Sequence, residues 1–111
     1  MSALRLKYDV GLQQLEGRVG STSDAATTVI EQGKMTFYID AAHKSVVAFE
    51  IADFNHFVSY HVLFELFGDE VIREIAAFQS SAVTQKGPLQ KTIEFTRAPS
   101  PRVIEDLLKA A

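Results

Sequence analysis

The 111-residue sequence contains no cysteine. That excludes disulfides, thiolate metal sites and a cysteine nucleophile, and it fits a reducing, cytoplasmic setting. Long apolar runs are also missing. The longest, residues 57–67, is broken by Ser59, His61 and Glu65 and is too short to span a bilayer. The N-terminal MSALRLKYDV alternates like a strand and has no apolar signal-peptide core. No large charge excess of either sign exists, the formal net charge being −3. A mildly acidic chain is a poor candidate for general nucleic-acid binding. The sequence lacks a Gly-x-Ser-x-Gly nucleophile elbow, a phosphate-binding glycine loop and a dinucleotide fingerprint. No repeat, linker or low-complexity tract divides it, so residues 1–111 read as a single domain.

The clearest pattern present is residues 35–51, MTFYIDAAHKSVVAFEI. Met35, Phe37 and Ile39 alternate with polar neighbours, and Val47, Phe49 and Ile51 do so after a polar break. Period-two alternation of β-branched and aromatic residues marks half-buried strands. Matching the apolar faces pairs Phe37 with Phe49, Met35 with Ile51, Ile39 with Val47 and Asp40 with Val46. A three-residue loop, Ala42-His43-Lys44, is left over. It has no glycine, although such loops usually contain one residue with positive φ.

Upstream, Leu4, Leu6 and Tyr8 alternate as a first strand. Residues 12–19 return as a second, and residues 27–31 form a third before the Gln32-Gly33 turn. These runs predict an antiparallel β-meander of about five strands. Downstream the period changes. Asp53 and Asn55 are candidate caps for a helix over 56–67, which Gly68 ends. The β-formers in FVSYHVLF make a strand the competing reading. On that helix Phe57, Tyr60, Phe64 and Phe67 form one apolar stripe, and Val58, Val62 and Leu66 form another. A second helix is expected over 70–79 with Val71, Ile72, Ile75 and Phe78 inward, followed by a loop over 80–88. A last strand carries Ile93 and Phe95. Ser100-Pro101 then opens a C-terminal helix with Val103, Ile104, Leu107 and Leu108 on its apolar face. The fold class is therefore α+β: the meander, two helices, a further strand and a final helix.

Tyr8-Asp9, together with Tyr38-Ile39-Asp40, Val46-Val47 and Phe49-Glu50-Ile51, makes residues 4–53 resemble a family of short prokaryotic β-hairpin domains of unknown function. The expected turn glycine is missing here, and the helical half lies outside the likeness. The resemblance implies a small β-meander and no chemistry.

His61 and Glu65, four apart, share a helix face at the spacing of a hydrogen-bonded pair or of two metal ligands. On a continuous helix His56 lies about 140° away and does not join them. Two residues do not define a metal site, and no pattern calls for a cofactor. Asp40 and Glu50 share a sheet face with Tyr38 between them, an arrangement usual on a solvated sheet. Phe37, Phe49, Phe57, Phe64, Phe67 and Phe78 read as core ahead of a ligand pocket. Residues 1–85 hold six basic and eleven acidic side chains, and residues 86–111 hold five and three. Lys86, Lys91, Arg97 and Arg102 are too dispersed for a nucleic-acid surface.

The doubly apolar helix favours a non-catalytic, self-associating domain. Its expected homodimer interface comprises Phe57, Tyr60, Phe64, Leu66 and Phe67. The alternative is a small-ligand-binding protein or modest enzyme with an apolar pocket and polar contacts from Tyr38, His61 or Glu65. A third reading has the final helix presented to a different protein.

Overall fold

The computed structural model describes residues 2–20, 26–84, 88–95 and 101–109. Alternation in the N-terminal half produces five strands: β1 (Ser2–Asp9), β2 (Gln14–Val19), β3 (Thr28–Gln32), β4 (Met35–Asp40) and β5 (Ser45–Ile51). A sixth, β6 (Gln90–Phe95), follows two helices, α1 (His61–Phe67) and α2 (Asp69–Thr84), and α3 (Pro101–Lys109) closes the chain. The fold is α+β, and all strand pairs are antiparallel in the order β3-β4-β5-β2-β1-β6. The order departs from a simple meander at one point. β2 lies beside β5, and β3 forms the far edge. The last strand takes the opposite edge, against β1.

The central hairpin keeps Phe37 opposite Phe49 and Met35 opposite Ile51, but Ile39 pairs with Val46 and Asp40 with Ser45. A bulge at Val47 absorbs the extra residue. The turn is consequently four residues long, Ala41–Lys44, and Lys44 takes the left-handed conformation (φ 49°) that a glycine would otherwise supply. Asp40 is buried as the turn's acceptor, bonded by the backbone N–H groups of Ala42 and His43 and by His43 Nδ1 at 2.6 Å. It does not share a site with Glu50. The second strand starts at Gln14 and not at residue 12, because Asp9 Oδ1 accepts from Leu12 N (3.0 Å) and holds the preceding turn.

The helix expected over 56–67 is shorter. Phe54–His56 form one 3-10 turn, Phe57 is extended (φ −73°, ψ 128°), and α1 begins only at His61. Two observations account for this. Asp53 sits in the left-handed region and makes no side-chain cap bond, its carboxylate being held by Lys34 and His56. Gln79 of α2 donates Nε2 to the carbonyls of both Phe54 (2.6 Å) and Phe57 (2.8 Å). A helix running through this segment would use the Phe57 carbonyl for His61 N–H.

α2 instead runs longer than expected. Residues 80–84, read as loop, continue it, with Thr84 Oγ1 bonding back to the Ser80 carbonyl (2.9 Å). Ala82 extends the buried stripe Val71–Ile75–Phe78 by one more turn. Pro101 opens α3 as expected, while Ser100 lies outside the described residues. Ile104 and Leu107 pack into the core, and α3 meets α1 and β5. Its apolar face is thus occupied within the chain.

All the helices cover one face of the sheet. Between them lie Leu4, Leu6, Leu15, Phe37, Phe49 and Ile51, each nearly or fully inaccessible to solvent. Phe67 links sheet and helices, its ring tilted against Phe49 (5.9 Å) and edge-on to Phe95 (5.5 Å). The other face is mixed, carrying Glu16, Arg18, Tyr38 and Glu50 beside Ala48 and the exposed Val29. Among the described residues no helix is long and apolar enough to cross a membrane.

Candidate functional site

The late start of α1 creates a groove. The non-helical Phe57–Tyr60 segment stands away from the β3–β4 turn, where Gly33 provides the positive φ (58°) that the tight reversal requires. The space between them is about 410 Å³. Met35, Phe57, Val58 and Val62 supply its apolar lining, and Lys34, His56, Ser59 and His61 its polar lining. A volume in the range of small-molecule sites, with mostly apolar walls and a few polar groups, suits a ligand.

Both groove histidines are anchored. His56 Nδ1 lies 2.8 Å from Asp53 Oδ1, and Asp53 Oδ2 accepts from Lys34 Nζ at 2.7 Å. His61 Nε2 lies 3.1 Å from Glu65 Oε1, one turn along α1. The His56 hydrogen bond, followed by Lys34, holds the Asp53 carboxyl below its ordinary value. A carboxylate on one ring nitrogen fixes the ring and leaves the other nitrogen to act as acceptor, donor or general base. Each of the chain's three histidines has such a partner, the third pair being His43 with Asp40.

The groove's back is held by α2. Gln79 bonds Phe54 and Phe57 through Nε2, and its Oε1 accepts from Tyr60 Oη at 2.9 Å. Burial pushes the Tyr60 phenol up to about 12. Tyr60 also meets the Phe57 ring edge-on at 5.0 Å. On the far side of this segment, Tyr8 Oη donates to Asn55 Oδ1.

Tyr38 does not belong to this site. It lies on the open face of the sheet, over a separate hollow of about 440 Å³ with Glu16, Arg18, Ala48 and Glu50. There Tyr38 Oη and Gln14 Nε2 both donate to the Glu50 carboxylate, and the Glu50 hydrogen bond raises the Tyr38 phenol above its ordinary value. The face is organised in cross-strand rows. Glu50 stands opposite Glu16, and Arg18 stands opposite Arg5. Glu16 and Arg18 also pair along β2 at 2.8 Å.

The structure thus brings His61 and Glu65 together and sends Tyr38 elsewhere. It adds Lys34, Ser59 and the Asp53–His56 pair, of which the helical wheel turns His56 away from His61. The signal for that pair is the repeated Asp-x-x-His spacing, Asp40–His43 and Asp53–His56. Of the expected interface, Leu66, Phe67 and Phe57 pack into the chain's own core and Tyr60 is half-buried. Phe64 alone is exposed, at 46%. In the C-terminal segment, Lys91 faces Glu74 at 3.8 Å, and Lys86 and Arg97 lie outside the described residues. Among the described residues no cluster of three or more histidine or acidic side chains is placed to hold a metal ion.

Comparison with protein-family models, with curated proteins and with solved structures finds no match to this chain.

Proposed function

We propose that this chain is a small-ligand-binding domain whose site is the groove between the β3–β4 turn and residues 56–62. One observation carries the reading. Two histidines from different elements, each oriented by a carboxylate, line an apolar space of ligand size. Oriented polar groups in an apolar wall confer recognition, because the ligand finds them already positioned. No nucleophile is bonded to either ring among the described contacts, which favours binding over covalent catalysis.

Thermal-shift screening of small aromatic and aliphatic compounds tests the proposal. Binders raise Tm of the wild type by mass action. The same compounds lose that effect in Ser59→Trp, whose side chain fills the groove from an exposed position. Compounds that stabilise both proteins equally bind elsewhere and count against the groove.

Self-association remains a second reading, supported by the exposure of Val58 (81%) and Phe64 (46%). Light scattering coupled to size exclusion decides it. A dimer converted to monomer by Phe64→Glu supports the reading. A wild-type monomer at every concentration removes it.

A further inference from the structure

We infer, resting on the groove being a ligand site, that its ligand is a small amphiphilic anion with an apolar or aromatic body and one acidic head. Every ionisable side chain lining the groove is basic, namely Lys34, His56 and His61, in a chain of net charge −3. They arrive from three segments: the β3–β4 turn, the 3-10 turn and the first residue of α1. The carboxylates Asp53 and Glu65 stand behind them, bonded to the basic groups and outside the lining. The rest of the wall is Gly33, Met35, Phe57, Val58 and Val62, with Gln32 and Ser59 as neutral polar groups. An apolar wall carrying three basic side chains and no acidic one matches a molecule apolar over most of its surface and negative at one end.

The histidine rings are held in place by carboxylates. The nitrogen bonded to the carboxylate carries a hydrogen, and the second nitrogen is left for a ligand. His56 is faced by Asp53 from its own turn and, through Asp53, by Lys34 from the β3–β4 turn. His61 is faced by Glu65 from its own helix.

Two dyes separate this inference from the reading beneath it. 1-Anilinonaphthalene-8-sulfonate carries a permanent negative charge, and N-phenyl-1-naphthylamine has nearly the same aromatic body without it. Fluorescence titration of the full chain is made with each dye under the same buffer conditions. The sulfonate is expected to bind more tightly than the neutral dye. Lys34→Met, His56→Gln and His61→Gln each weaken sulfonate binding by roughly two- to five-fold, the worth of an exposed ion pair, and weaken the neutral dye less. All three side chains are mostly exposed, and thermal melts check that the variants stay folded. If Ser59→Trp blocks both dyes but the neutral one binds as tightly as the sulfonate, the anion assignment falls and the groove stands. If neither dye binds, or if Ser59→Trp and the three basic substitutions leave sulfonate binding untouched, the groove reading falls and this inference with it.

Discussion

Gly17 of β2 lies directly opposite Phe49 of β5, beneath the aromatic ring. A Cβ at residue 17 would stand 2.4 Å from the ring's Cζ, far inside van der Waals contact. Phe49 is fully buried and packs at a tilt against Phe67, so its ring has no free space to enter. Gly17→Ala is therefore expected to destabilise the fold by about 1–3 kcal/mol, the usual cost of overpacking. Chemical denaturation checks this: the midpoint falls while the slope holds. A neutral Gly17→Ala would mean the β2–β5 pairing is wrong.

Gln79 is the clamp between α2 and the groove. Its substitution by leucine leaves two backbone carbonyls and the Tyr60 hydroxyl without the partners they have in the fold. A loss of about 1–3 kcal/mol is expected. Tyr60→Phe removes one of the three bonds and costs less. Thermal melts of the two variants test the ordering, and equal losses would contradict the clamp.

Acid stability follows from three carboxyls. Asp40 is held low by His43, Asp53 by His56 and then Lys34, and Glu105 by Lys44. A group whose folded value is depressed contributes stability that is complete above its unfolded value, about 4 for these groups, and is lost as pH falls through the folded value. Denaturation midpoints should hold near neutrality and decline below about pH 4. Asp40→Asn and Asp53→Asn should lower stability at neutral pH and flatten the acid limb. An unchanged acid limb in both would contradict the pairings.

The alkaline side has the opposite sign. The Tyr60 phenol is raised to about 12 by burial, so its contribution is intact below the unfolded value near ~10 and fades as pH climbs toward the folded one. The ultraviolet phenolate titration should show a late step that disappears in Tyr60→Phe. Tyr38 is also raised, through its bond to Glu50, and Glu50→Gln should bring its step back toward the ordinary value.

Much of the sheet was legible because alternation reports burial directly. Phe37 opposite Phe49 follows from matching the apolar faces of two runs. The bulge did not show, because Val46, Val47, Ala48 and Phe49 are all buried and a run apolar at every position carries no register. The β2–β5 pairing is hidden for a different reason. Gly17 is small to make room for Phe49, a residue 32 positions away, and no local period records that.

The groove was half legible. His61 and Glu65 follow from helical spacing. His56 was lost with the assumption of one continuous helix, which the bonds from Gln79 to the Phe54 and Phe57 carbonyls forbid. The burial of Leu66 and Phe67 within the chain is equally invisible in the sequence. Periodicity marks which side chains are apolar, but whether the chain's own sheet and helices cover Leu66 and Phe67 depends on tertiary packing.

Binding in the groove is tested most directly by amide ¹H–¹⁵N correlation spectra recorded during titration with small amphiphilic compounds. Shifts clustered at residues 32–35 and 56–62 are expected. Shifts clustered instead on the open sheet face, around Glu16, Arg18, Tyr38 and Glu50, or no shifts with any compound, would contradict it.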